Sequence, residues 1–416
     1  MLGPSFNTPA NPRRFPSQAA SIFVAALIAL AACSPAASPL ATSGLGPSPS
    51  ATTGVPPTPT ALARAPETTR GKVPLILFSR QISEDVRTFT IGIDGFEETQ
   101  LPDVHDCCGS WSPDGTTIVV PDGVAESRVL PATIKPDGTG YVVHHIGPAT
   151  LNLGFGGWSP DGTRTVFEAW DDADPSRTGI YVSEGFSLAK AVPVQITHAI
   201  RHDIGLGWSP DGTRLLLIQV TRCPEGDCDG GDLYVVDSNG SDLIRLSPKG
   251  TFVACCGPAS WSPDGTKVAF GGVSFTASGA PDFTSSAVYV AQADGSNVKA
   301  ITEPGAFTEA ATWSPNGEWI VFNKKSGPIG VKGSDLYLIH PDGSGLHAIT
   351  TAGSDGKADQ VGAVWSPDGR RLLFDSVPGG PVKRGDLWIV NVDGTGLTQL
   401  TNAQARVLGY SWQPGT

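Results

Sequence analysis

Trp365-Ser366-Pro367-Asp368-Gly369, then Arg371-Leu372-Leu373-Phe374, a gap, Asp386-Leu387-Trp388-Ile389-Val390, and Asp393-Gly394-Thr395 ahead of Leu400-Thr401 read in order as strand, tight turn, strand, loop, strand, tight turn, strand. Apolar runs of four or five residues bounded by Gly and Asp are strand signals rather than helix signals. In both turns Gly accepts the positive φ that a tight connection requires, and Asp bonds back to the local backbone. The stretch encodes one unit of four antiparallel strands.

The unit recurs along the chain. The same five residues begin at Trp111, Trp158, Trp208 and Trp261, Asn316 replaces Asp after Trp313, and a degenerate copy, Trp412-Gln413-Pro414-Gly415, stands near the end. Successive Trp residues are 47 to 53 apart, the length of a four-stranded propeller blade. Other copies supply matching strands at Lys267-Val268-Ala269-Phe270 and Asp335 to Ile339, turns at Asp294-Gly295-Ser296 and Asp342-Gly343-Ser344, and closing strands at Ile301-Thr302 and Ile349-Thr350. Residues 74–102 hold three strands with no Trp strand before them, and Trp412 marks one strand with nothing behind it. The predicted fold is all-β, a single β-propeller over residues 73–416. Seven four-stranded blades are expected, the last closed by strands from both termini so that no edge stays open; six blades are the alternative. In such a ring Trp fills the wedge between blades and Pro-Asp-Gly makes the turn, so the recurring Asp and Asn residues belong to architecture.

Composition agrees with many short strands joined by turns: of 416 residues, 51 are Gly and 36 Pro, and charged residues make up 16%. The net charge of -12 argues against a nucleic-acid partner, which needs a basic stripe against phosphate. Ahead of the repeats, Arg13 and Arg14 precede an apolar run from Ala19 to Ala32 that is too short for an ordinary membrane span. Residues 1–32 are expected to be a signal peptide. Residues 33–72, rich in Ser, Pro, Thr, Ala and Gly, cannot bury enough surface to order themselves and are expected to form a tether reaching on the order of 35 Å.

Two resemblances attach to these residues. Leu30-Ala31-Ala32-Cys33 resembles the lipobox of bacterial lipoproteins, which implies that Cys33 carries a diacylglycerol anchor. The Trp-Ser-Pro-Asp-Gly units resemble the propeller repeats of the periplasmic protein TolB and of the propeller domains of prolyl oligopeptidases and dipeptidyl peptidases. That resemblance covers residues 73–416 and implies fold more than function. TolB itself has six blades and a separate N-terminal α/β domain, which residues 34–72 cannot build.

Besides Cys33 the chain has six cysteines, an even number in an exported protein, which favours disulfides. Cys223 and Cys228 fall in the loop between two strands of one blade, where a bond would staple a hairpin. Cys107-Cys108 and Cys255-Cys256 precede the Trp111 and Trp261 strands in equivalent loops three blades apart, too far for an ordinary bridge. Each pair is expected to form a vicinal disulfide; a metal site of His105, Asp106, Cys107 and Cys108 is the alternative. Asp106, Asp203, Glu309 and Asp359 each stand four to six residues before a blade Trp. If their loops share one mouth of the channel they form an acidic rim for a cation or a basic partner segment; solvated loop acids without a common target are the alternative.

No Gly-x-Ser-x-Gly elbow, His-Glu-x-x-His or phosphate loop occurs. The expected role is a non-catalytic, cofactor-free and monomeric binding scaffold of the cell envelope for a protein or small, cationic ligand. A propeller hydrolase, lactonase-like, with a metal or acidic site at the channel mouth is the alternative.

Overall fold

The computed structural model describes residues 73–415 apart from 83–84, 103, 105–108, 123–127, 187–191, 200–202, 223–229, 255–258, 277–280, 306–307, 326–332, 379–383 and 404. Strands dominate these residues, and only a one-turn 3-10 helix, Pro175–Arg177, interrupts them. The described strands form five four-stranded antiparallel sheets and one nine-stranded sheet holding two further four-strand meanders, so seven repeat units, here numbered as blades 1 to 7, follow one another. Blade 7 is representative, with Ala358–Trp365, Arg371–Pro378, Asp386–Asn391 and Thr398–Gln399 paired in that order. Blade 1 differs in origin: its first strand, Arg406–Trp412, comes from the C-terminal end and pairs with Leu75–Ile82, bringing Ile76 opposite Trp412. Blades 4 and 5 are joined into one nine-stranded sheet because Thr251–Ala254 pairs with Gly230–Asp237 on one side and Lys267–Phe275 on the other.

The core lies in the seams between blades. One apolar cluster joins Leu216, Ile218 and Val235 of blade 4 to Val268 and Phe270 of blade 5. Similar clusters link blades 5 and 6 around Trp313, 6 and 7 around Trp365, and 3 and 4 around Trp208. Phe78 and Ile76 of blade 1 pack with Leu373 and Ile389 of blade 7, and Leu77 packs with Trp111 and Ile118 of blade 2. Between blades 2 and 3 the Leu153 N–H donates to the Val129 carbonyl at 2.9 Å. The seams run from blade 1 through blade 7 and back to blade 1. A fully buried Phe recurs in the second strand at Phe78, Phe167, Phe270, Phe322 and Phe374, each a site where truncation to Ala costs about 3–5 kcal/mol.

The Trp-Ser-Pro-Asp-Gly motif is the same device in blades 2 to 7, with Asn316 for Asp in blade 6. In blade 5 the Ser262 hydroxyl donates to the Asp264 carboxylate at 2.6 Å, the Thr266 N–H donates to the same carboxylate at 3.0 Å, and the Gly265 N–H closes the turn on the Ser262 carbonyl at 2.8 Å. Gly265 sits at φ +67, a conformation that a side chain would strain. Some of the Trp indoles bond across the seam: Trp365 Nε1 donates to the Thr312 carbonyl and Trp412 Nε1 to the Val364 carbonyl, both at 3.1 Å.

One local expectation shifts. The short fourth strands lie at Lys299–Ala300, His347–Ala348 and Thr398–Gln399, just before the Ile-Thr and Leu-Thr pairs expected to form them. At those pairs a side chain joins the backbone ladder: the hydroxyls of Thr302, Thr350 and Thr401 accept from the N–H groups of Val288, Leu336 and Leu387 at 2.8 to 3.0 Å.

Candidate functional site

An antiparallel meander sorts its connections by end. Links from first to second strand and from third to fourth fall at one end of the propeller, and links from second to third strand and from blade to blade fall at the other. The first end carries the Ser-Pro-Asp-Gly and Asp-Gly turns, closely similar between blades except in blade 3, where the link from Gly179–Ser183 to Val194–Gln195 spans 184–193. The second end carries connections that differ in length and composition, among them 103–109, 223–229, 255–259, 326–333 and 379–385. Asp106, Cys107, Cys108, Cys223, Cys228, Cys255 and Cys256 stand in sequence between strands that are joined at the second end. Those seven, together with Cys33, His105 and His202, lie outside the described residues.

The acids that are described depart from an open rim. Asp203 opens the first strand of blade 4, is only 2% exposed, and accepts the Thr197 hydroxyl at 2.6 Å. Thr197 in turn accepts the Ile180 N–H of blade 3 at 2.9 Å, so Asp203 ties blade 4 to blade 3. Asp359, half-buried in the first strand of blade 7, accepts the N–H of Ser334 in blade 6 at 3.0 Å and its hydroxyl at 3.3 Å. Both carboxylates bond across a seam because the first strand begins there, rather than in the loop before it. Glu309 has its backbone paired with Asn323, and its side chain is outside the described set. No group of three or more His, Cys, Asp or Glu among the described residues is placed to hold a metal ion.

An acid that the motifs do not mark lies deeper at the same end. Asp375, in the second strand of blade 7, is buried, and its Oδ1 has no hydrogen-bond partner. Burial, and then the negative charge of Asp386, push its pKa up to about 8, so at neutral pH the carboxyl is largely protonated. Its backbone N–H donates to the Tyr410 hydroxyl at 3.1 Å, and that hydroxyl donates to the Gly362 carbonyl at 2.7 Å. Gly385 leaves room for the carboxyl, since a Cβ there would stand 2.1 Å from Asp375 Oδ1. Aligning the blades on their buried Phe would have drawn notice to it, because Ser79, Glu168 and Asn323 fill the same step.

At the turn end the carboxylates are consumed locally. Ser112, Ser159, Ser209 and Ser262 donate to Asp114, Asp161, Asp211 and Asp264 at 2.5 to 2.6 Å. Those hydrogen bonds, then the N–H of the second residue on, hold all four below the usual carboxylate range, Asp161 at about 2. Their regular chemistry explains the turn and leaves differences between blades to other residues.

Comparisons with known proteins agree on architecture. A search of the curated proteins found no match. Among solved structures, the β-propeller domain of the Trilobed protease from Pyrococcus furiosus, described as having an open velcro topology, superposes with a TM-score of 0.53 at 11% identity, covering 80% of this chain and 93% of that one. The crystal structure of TolB from Acinetobacter baumannii gives 0.47 at 16% identity, covering 82% and 67%, and that of the TolB described as putative from Agrobacterium tumefaciens 0.42 at 16%, covering 80% and 90%. The first of these likenesses concerns the fold alone. The family described as the TolB beta propeller domain matches residues 156–416, more than half of the sequence, and the chain belongs to that family.

Proposed function

We propose that the chain is an exported lipoprotein, held to a membrane through Cys33, whose propeller binds a protein or small cationic ligand with the end that carries the long connections. One observation carries this: most of the long, blade-specific connections lie at one end of the meanders, while the other end repeats two short turns except in blade 3, whose third-to-fourth link spans 184–193. A rigid scaffold with a single variable end is built for recognition, since loop shape there is free of the constraints that seam packing imposes on strands. The excess of acidic over basic residues, 40 against 28, favours a basic segment over nucleic acid.

The experiment compares capture from envelope extract by the domain starting at Lys72 in three forms. These are wild type, a form with Asp106→Asn, Cys107→Ser, Cys108→Ser and Glu309→Gln, and a turn-end control, Asp342→Asn. Binding at the connection end predicts that the second form loses its partner and the control keeps it. Equal capture by all three moves the site elsewhere on the molecule. The anchor is checked separately: labelled fatty acid should enter the wild type and not Cys33→Ala, and its absence from the wild type overturns the lipoprotein reading.

A further inference from the structure

One step past the recurring core position of the second strand, the residue is ionisable in two blades, as Glu168 in blade 3 and Asp375 in blade 7. Glu168 accepts the Gly205 N–H of blade 4 at 2.9 Å, so its carboxylate helps to tie blade 3 to the next blade. Asp375 shares its strand face with Leu373, which packs against blade 1, yet its buried Oδ1 has no hydrogen-bond partner. The Tyr410 hydroxyl across that seam has nothing left to offer the carboxyl. It accepts the Asp375 N–H at 3.1 Å, and its one proton goes toward the carbonyls of Gly362 at 2.7 Å and Val361 at 3.0 Å. Gly362 is kept bare by the same contact, since a Cβ there would run into that hydroxyl.

Asp386, on the third strand of blade 7, is the charge that reaches Asp375, and it repels a carboxylate there. The strand of Asp375 itself carries Arg371 at its far end, over the Trp412 ring. The first strand of blade 7 carries Asp359, bound to Ser334 in the opposite seam. On blade 1, burial suppresses the ionisation of Tyr410, Arg406 stands opposite Gln81, and Arg80 is paired with Glu98. Arg384, ahead of the third strand, is exposed. The strand Arg406–Trp412 is also held differently from its counterparts. It pairs with Leu75–Ile82 alone, and no turn joins the two, whereas a Ser-Pro-Asp-Gly or Ser-Pro-Asn-Gly turn joins first to second strand in blades 2 to 7.

We propose that the seam between blade 7 and Arg406–Trp412 is a proton-operated latch: a protonated Asp375 lets the strand seat, and loss of that proton unseats it ahead of the strands of the other blades. An ionised Asp375 in the closed seam is a buried charge without a partner and beside a second negative charge, a strain relieved when water reaches it. Unseating Arg406–Trp412 admits that water without opening a hairpin. The closed state keeps a proton that the open state gives up once pH passes the ordinary carboxyl range. The latch is therefore fully closed in acid, loosens as pH rises, and levels off once Asp375 ionises in the closed state as well, near pH 8. The ring is complete in mildly acid surroundings and opens at one defined seam in alkaline ones.

The test is hydrogen–deuterium exchange of the full chain between pH 5.5 and pH 8, each rate divided by that of an unstructured peptide at the same pH. In the wild type the protection of Arg406–Trp412 should fall about tenfold per pH unit between pH 6 and pH 7.5. It should also stay below the protection of Lys267–Phe275 and Ile320–Lys325, which mark blades 5 and 6 and exchange only when the whole domain opens. Asp375→Asn removes the titrating proton, as Asn323 does at the same step of blade 6, and should flatten the profile of Arg406–Trp412. A flat profile at that strand in the wild type, equal protection of all three segments, or a slope that persists in Asp375→Asn overturns the proposal. The first two outcomes are read from the wild type alone.

Discussion

Asp375 shows how one side chain can set a pH dependence for a whole fold. Its pKa of about 8 in the folded protein compares with about 3.9 for an unfolded Asp. Between those values the native state holds a proton that the unfolded state has lost. The sign is fixed by that difference: the favourable contribution is complete below about pH 4 and is lost progressively as pH rises to 8, because folding must then either keep the proton against solution or bury a charge. The loss amounts to a few kcal/mol in order of magnitude. Asn323 shows that an amide is accepted at this step of a neighbouring blade. Asp375→Asn should therefore flatten the fall in melting temperature between pH 5 and pH 8 and melt several degrees above the wild type at pH 8. Parallel pH profiles for the two proteins would remove Asp375 as the cause.

At the scale of strands and turns, most of the blade was legible because its signals are local. Turn chemistry at Asp264-Gly265 and Asp294-Gly295, and the apolar runs such as Lys267 to Phe270, depend on residues within a few positions of one another, and the strands fall where those runs lie. What stayed hidden depends on contacts across a seam. Asp203 and Asp359 read as loop acids because Thr197 and Ser334, their partners on the preceding blade, are named only by the three-dimensional packing. The bridging strand Thr251–Ala254 has no repeat equivalent and joins two sheets, so periodicity could not mark it. Asp375 became remarkable only once its depth was known, since an isolated acid after an apolar run looks like the end of a strand.

Across the whole molecule the pairing of Arg406–Trp412 with Leu75–Ile82 decides cooperativity. That strand gives blade 1 its first strand, places Trp412 in the seam with blade 7, and through Gln413 reaches both the Leu75 N–H and the Gly115 carbonyl of blade 2. Deleting residues 404–416 exposes the edge of Leu75–Ile82 and opens two seams at once. The expected result is loss of the single melting transition, or aggregation, rather than fraying of one end. An unchanged melting temperature in the truncated protein would show that the seams hold without this strand.

The same pairing fixes where the polypeptide enters and leaves the propeller. Ile76 stands opposite Trp412, and the turn that follows Trp412 lies against Gly115, so the polypeptide enters and leaves blade 1 side by side at the turn end. Any leash running back from Val73 to a surface pulls on that end. In the proposed lipoprotein the leash would therefore join the propeller at its turn end, opposite the connections assigned to recognition, and its length would set how far the propeller reaches.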